Sequence, residues 1–300
     1  MFAALLTTFF FALSAIFARR SIIHLGPQRA NFARQAVALL LLGAYAHFIG
    51  RGMTGPTFGL FLLSGVLGFG LGDWALFEAL PRIGAGLTLL LCQCLAAPIA
   101  AATERIFLGT QMTVFQLLSS ALILAGVALA LAPGQGEAIP IGHRVAGICF
   151  GIVAALGQAW GAVLSRYAFE RAHAVGFSLD GLTSAYQRLL GGILVIGFLV
   201  LVGGFRNRWR PPIHEAGSKS WSRAWGWVTA NAVVGPALGV GCYQWALKSE
   251  PSSIVLPIVA TSPLAAMLLV FAGEGVRPSR RAAAGSLLAV IGVIILVRNS

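Results

Sequence analysis

Apolar residues run in long blocks along this chain, and polar residues gather in the gaps between them. The blocks fall at about 2–18, 30–49, 57–79, 84–106 and 112–132, then 144–168, 182–204, 224–247, 251–273 and 281–297. Each approaches the roughly 20 residues that a helix needs to cross about 30 Å of hydrocarbon. The gaps are mostly short, and no stretch is long enough for a soluble domain. A lipid-exposed backbone must satisfy its own hydrogen bonds, which leaves helices or a closed barrel. The short alternating strands of a barrel are not seen. The pattern therefore predicts an all-α membrane protein with ten transmembrane helices. The first block is short enough to be mistaken for a signal peptide. Its basic pair, Arg19 and Arg20, follows the apolar run, and no small-residue cleavage site is evident, so it is read as a spanning helix.

The blocks repeat. Residues 68–76 read GFGLGDWAL and residues 239–247 read GVGCYQWAL. ANFARQAV around Arg34 is matched by SAYQRLLG around Arg188, Glu104 by Glu274, and LAGVALAL around Gly126 by VIGVIILV around Gly292. The matches keep their order, and the split falls in PGQGEAIP at 133–140. This predicts two five-helix repeats, 1–135 and 140–300. Five crossings leave the chain on the opposite face, so the second repeat is inverted relative to the first, with a site expected near the midplane.

Composition narrows the function classes. Hydrophobic residues make up 58% of the chain and charged residues 10%, against about 25% charged in a soluble domain. Mean hydropathy is +0.85. The net charge of +12 sits at block ends and in gaps, where lipid headgroups meet it. Nucleic acid is therefore not an expected partner; the lipid bilayer and a small-molecule substrate are. No cofactor is expected. Cys92, Cys94, Cys149 and Cys242 all lie in apolar blocks, and the first two point to different faces of a helix, so no metal site is expected. Gly68-x-Gly70 lacks the strand–turn–helix setting of a phosphate cradle. No nucleotide-binding loop is present, which argues against ATP-driven pumping by this chain alone.

The paired WAL segments, the intramembrane Arg34 and Arg188, and the Pro263 to Glu274 spacing in TSPLAAMLLVFAGEG carry a resemblance. The chain resembles the drug/metabolite transporter superfamily, of the EamA type with ten spans, over essentially its whole length. The first half departs from the last pattern: Gln93 stands where the proline would be, and Pro98 lies a turn and a half later. The resemblance implies secondary transport of small organic solutes, commonly export, with amino-acid-like substrates among those the superfamily handles. A bacterial inner membrane is the expected location, as monomer or homodimer. Some small relatives exchange cationic drugs for protons through a glutamate in the first span; here that span has Thr7, Thr8 and Ser14 but no carboxylate.

Ionisable residues inside spans are costly and mark candidate sites. Asp73 follows three glycines at alternate positions, and Gln244 stands at its repeat position. Together they read either as substrate-binding or proton-relay groups, or as buried hydrogen-bonding groups. Gln158, Trp160, Tyr186 and Tyr243, with Trp74 and Trp245, can line a cavity or simply pack. Arg34 and Arg188 can hold anionic groups or share a structural role, snorkelling or bonding helix-end carbonyls. Glu78, near Pro81 and Arg82, reads as a structural ion pair or a solvated group. Glu104 and Glu274 read as caps or loop anchors. Gly68-x3-Gly72 and Gly235-x3-Gly239 are small-xxx-small patterns, suited to close helix packing and to sliding.

The longest hydrophilic gap, RNRWRPPIHEAGSKSWSR at 206–223, is basic and carries Trp209 and Trp221, as expected of an interface anchor. Orientation is in conflict. The resemblance implies cytoplasmic termini. That would leave only Arg51, Arg105, Arg166, Arg171, Lys248 and Arg298 inside. A larger set, including Arg19, Arg20, Arg29, Arg82, Arg144 and the basic 206–223 segment, would lie outside, against the positive-inside rule. A non-enzyme is expected. The alternative is a membrane-embedded enzyme or scramblase acting on lipid-linked substrates. An enzyme would need acidic, His or Ser groups clustered at one face, whereas His24, His47, His143, His173 and His214 are scattered.

Overall fold

Helices begin and end where the apolar blocks meet glycine and proline. A computed structural model describes residues 1–132, 141–205, 221–275 and 277–298, and every element among them is helical. The split at 133–140 and most of the basic 206–223 segment lie outside the described residues, as does the side chain of Glu274.

In the first half, α1 (Phe2–Leu25) and α2 (Pro27–Phe48) meet at a one-residue corner, Gly26, with φ 77° and ψ 164°. Only glycine adopts that backbone readily, and Pro27 suits the first position of the second helix. The first helix therefore runs past residue 18, the expected end. Arg19 and Arg20 do not stop a helix; Gly26–Pro27 do. α3 (Phe58–Gly65) continues through a π-helical segment (Val66–Gly72) into α4 (Asp73–Phe107). α4 turns at Gly84 (φ 75°, ψ 162°), almost the same corner as Gly26. α5 (Val114–Leu131) opens with a capping box, in which the Thr113 hydroxyl accepts from Gln116 N–H and the Gln116 side chain accepts from Thr113 N–H.

The second half holds α6 (Ile141–Ala174), α7 (Gly181–Phe205), α8 (Trp221–Ala232), a second π-helical segment (Val233–Gly239), α9 (Val240–Ser249), α10 (Ser252–Val259), α11 (Ser262–Glu274) and α12 (Arg280–Arg298). Among the described residues, 7 helices are long and apolar enough to cross a membrane. The other expected spans escape that count for physical reasons. α2 is too polar, carrying Gln28, Arg29, Asn31, Arg34 and Gln35. The α8–α9 run is likewise too polar, carrying Asn231, Tyr243, Gln244 and Lys248, and the Gly84 corner lies inside one continuous 51-residue helical run.

The halves are interleaved. α1 packs on α8, the second π segment, α9, α10 and α11. Reciprocally, α6 packs on α3, the first π segment and α4. α2 packs on α7, and α5 on α12. Small residues make these approaches possible. Added Cβ atoms at Gly126 and Gly285 would each fall within about 2.6 Å of the facing backbone across the α5–α12 pair. The main core is correspondingly rich in alanine, with Ala96, Ala97, Ala155, Ala159 and Ala162 all buried.

Candidate functional site

The spacing i, i+3, i+4 puts Asn31, Arg34 and Gln35 on one face of α2. The first π segment ends opposite that face. A π turn holds one residue more than an α turn, which rotates the helix beyond it by about 100°. The Asp73 amide bonds to the Gly68 carbonyl, five residues back, as the segment closes. Its carboxylate then meets α2. Arg34 Nη2 donates to Asp73 Oδ2, and Arg34 Nε donates to Asn31 Oδ1 at 3.0 Å. Gln35 Nε2 lies 3.5 Å from Asp73 Oδ2, 3.4 Å from the Phe69 carbonyl and 3.3 Å from Asn31 Oδ1. The Arg34 guanidinium also sits 5.3 Å from the Phe77 ring centre. At 1.5 Å per residue, Asp73 is about 16 Å along the helix from Gly84 and about 22 Å from Phe58, deep within the bundle.

A second cluster lies across Phe69, whose carbonyl faces Gln35 and whose ring faces Arg188. Arg188 on α7 is 4% exposed, with its guanidinium 5.4 Å from the Phe69 ring centre and 6.0 Å from that of Tyr243. Its Nε and Nη1 have no hydrogen-bond partner among the described residues. The same holds for Tyr243 Oη and for both amide atoms of the fully buried Gln244. Gly68 and Gly161 make room for this guanidinium; a Cβ on them would lie 2.9 and 3.3 Å from Arg188 Nη2. Gln158 joins a third group, donating to Gln93 Oε1 at 2.9 Å and accepting from Cys92 Sγ at 3.0 Å.

One end of the bundle is bolted across the halves. Glu104, fully buried, accepts from the N–H groups of Ser252 and Ser253 and from the Ser252 hydroxyl, capping α10. The Met1 amine meets Glu250 Oε1 at 3.2 Å. Gln187 Nε2 donates to the carbonyls of Gly52 and Thr54, Arg51 faces the Phe177 ring, and His47 Nε2 lies 3.1 Å from Tyr186 Oη. At the other end, Gln28 and Arg82 both donate to Glu78, and the Arg82 guanidinium lies over Phe150. A cavity of about 510 Å³ opens at the bolted end beside Arg166, Glu170, His173 and Lys248, away from the central clusters.

The expected site residues thus sort by place. Asp73 and Arg34 are brought together, Tyr243 adjoins Arg188, Gln244 is buried about 100° further round α9, and Gln158 bridges α6 to α4. The shared role expected for the two arginines, snorkelling or bonding helix-end carbonyls, is not what the geometry gives: one is ion-paired and the other is stacked on rings. Trp160 does not join the clusters. It is 44% exposed and continues the apolar outer stripe of Val145, Cys149, Ile152 and Val153 on α6, and Trp245 is exposed as well. Tyr186 belongs to the bolt. Gly72 packs against Gly157, Gly235 against Ser14 and Gly239 against Phe11, so the small-xxx-small pairs sit where α6 and α1 meet the two π segments. Asn31, Gln35 and Asn231, whose Oδ1 accepts from the Ser14 hydroxyl at 2.7 Å, carry no expectation in the sequence reading, and Gln93 enters it only as a departure from the proline pattern. Asn31 and Gln35 had a signal, since they share the helical face of Arg34. Among the described residues, no group of three or more His, Cys, Asp or Glu is placed to hold a metal ion.

Comparison with known proteins adds two findings. Residues 1–132 and 145–298 match the family model of the EamA-like transporter family. No curated protein matches the chain. A solved structure titled only as the crystal structure of a protein superposes with a TM-score of 0.78 at 14% identity, covering 99% of each chain, which is a likeness of fold.

Proposed function

The chain belongs to the EamA-like transporter family, and from that premise we propose that it is a secondary transporter of small organic solutes. Ten spans, arranged as inverted five-helix repeats over 1–135 and 140–300, alternate access to a site between them. Export across a bacterial inner membrane, by a monomer or homodimer without enzymatic activity, completes the reading. The supporting observation is the Arg34–Asp73 pair. A charged pair deep in an apolar bundle marks a solute or ion path more readily than a structural strut. The two ends of the bundle also differ. The pair keeps some exposure, 12% for the Arg34 side chain and 21% for Asp73, while the end near Phe58 is bolted across the halves. Breaking the bolt and closing the Glu78 end would present the site to the other side.

The decisive experiment is solute efflux from liposomes holding the purified protein. Flux that follows an imposed pH gradient in the wild type, and loses that dependence in Asp73→Asn, makes Asp73 the proton-coupling group. Unchanged pH dependence removes it from that role. Movement of fluorescent lipid between leaflets without any solute flux would support the scramblase alternative instead.

A further inference from the structure

We propose that Arg188 is the anion-binding residue of the transport site and that the solute moved carries a carboxylate; this rests on the transporter reading above. The two repeats carry the argument. In the first, the arginine of the second span meets a carboxylate from the third, Arg34 with Asp73. In the second, the matching arginine is Arg188, and the position matching Asp73 is Gln244. The carboxylate has been replaced by a neutral amide.

The consequence is a charge imbalance. Around Phe69, Arg34, Asp73 and Arg188 leave one positive charge. The other fully buried carboxylate, Glu104, lies at the bolted end, where it caps α10. A buried guanidinium with two nitrogens lacking partners among the described residues is costly to keep unless something else bonds it. Its neighbours suit an anion. Tyr243 Oη is a donor without a partner among the described residues, on a buried side chain whose ring faces Arg188. The rings of Phe69 and Tyr243 hold the guanidinium plane without using its N–H groups. A planar fork of donors beside a hydroxyl matches a carboxylate, and a single carboxylate balances the single charge. A phosphate monoester would overshoot it.

The test uses the full-length protein in liposomes loaded with a defined mixture. It contains the twenty amino acids, their amides, monocarboxylic acids of two to six carbons, and simple phosphate monoesters. Mass spectrometry reads what leaves. Carboxylate-bearing solutes should leave and the matched amides should stay. Arg188→Gln should slow that efflux about 10- to 100-fold, the loss of one charge-assisted contact, with partial recovery in Arg188→Lys. Efflux of amides or phosphate monoesters alone, or equal carboxylate efflux by Arg188→Gln, overturns the proposal. Thermal unfolding in detergent with the same compounds separates the two readings. Stabilisation by carboxylates that depends on Arg188, without efflux, retains the anion site and overturns transport of these solutes. Neither efflux nor such stabilisation overturns the anion site.

Discussion

The two arginines at matching positions are held by different partners. Arg34 is bonded to Asp73 and Asn31, and Gln35 supports the pair from the same helix face. Arg188 is more deeply buried, rests on two aromatic rings, and keeps two guanidinium nitrogens without partners among the described residues. Both halves carry an arginine in the second of their spans, and what meets it differs: the Asp73 carboxylate at Arg34, aromatic rings at Arg188. A repeat protein can thus keep one copy of a charged motif as a closed pair and open the other for a ligand. The difference is testable because removing Arg34 should destabilise the fold and removing Arg188 should not.

The largest effect is expected on the closed pair. Arg34→Gln strands Asp73 in the bundle, and loss of one partner of a buried pair costs about 3–5 kcal/mol. Asp73→Asn should destabilise in the same direction but less, since Arg34 keeps Asn31 and the Phe77 ring. Arg188→Gln should leave the unfolding temperature unchanged or raise it, because no ion pair among the described residues is broken. Thermal unfolding of the three variants in one detergent decides the matter. A fall for Arg188→Gln as large as for Arg34→Gln would mean that Arg188 is structural after all.

The next effect falls on the backbone that presents Arg188. A Cβ at Gly65 would lie 1.7 Å from the Arg188 carbonyl oxygen, so α3 and α7 must part to admit it. Gly65→Ala should therefore cost about 1–3 kcal/mol or more, the range of overpacked cores. Gly59→Ala, one and a half turns earlier with nothing within 4 Å, should cost nothing measurable. Equal behaviour of the two alanine variants in thermal unfolding would refute this account of the α3–α7 contact.

A smaller but more discriminating change gives the second half what the first has. Gln244→Asp places a carboxylate beside Tyr243 at the position matching Asp73. If Arg188 captures it, stability should rise by about 1–3 kcal/mol, the value of a hydrogen bond to a charged group. Stabilisation by added carboxylates should then vanish, since the protein supplies its own. A variant that is stabilised yet still responds to carboxylates would separate Arg188 from the ligand.

Much of the helical frame was readable because a membrane asks only for apolar length, and glycine and proline mark its corners. What was not readable came from geometry the repeat does not encode. The π segments lie in paired helices, but the second begins at Val233, one turn before the place the WAL alignment assigns to it. Pro236, which lacks an N–H to give an α-helical bond, sits inside the second and has no counterpart in the first. The intramembrane charges stood out by their cost, yet the Arg34–Asp73 pairing spans 39 residues and needed the packed helices to appear. Trp160 misled because an aromatic inside a span can face lipid as easily as a cavity. The asymmetry at Arg188 was in plain view as Asp73 against Gln244; what hid it was treating a duplicated arginine as a duplicated role.

The smallest expected effect tests how the comparison reaches the bolted end. Tyr186 lies two residues before Arg188 on α7, and its hydroxyl meets His47 Nε2 at 3.1 Å, tying α7 to α2, the helix that carries Arg34. The rings stack edge to face at 5.4 Å, so Tyr186→Phe removes the hydrogen bond and keeps the packing. The loss should be about 0.5–1.5 kcal/mol. A purely static bond would show that cost in thermal unfolding and nowhere else. A bond that helps hold the bundle closed at this end should also change transport, because weakening it favours the state in which the bolt is undone. Efflux rates in liposomes, measured with protein added in each orientation, distinguish the two. A change in the ratio of forward to reverse rates in Tyr186→Phe identifies the α2–α7 contact as part of the gate, and a uniform change leaves it a packing contact that happens to carry both arginines.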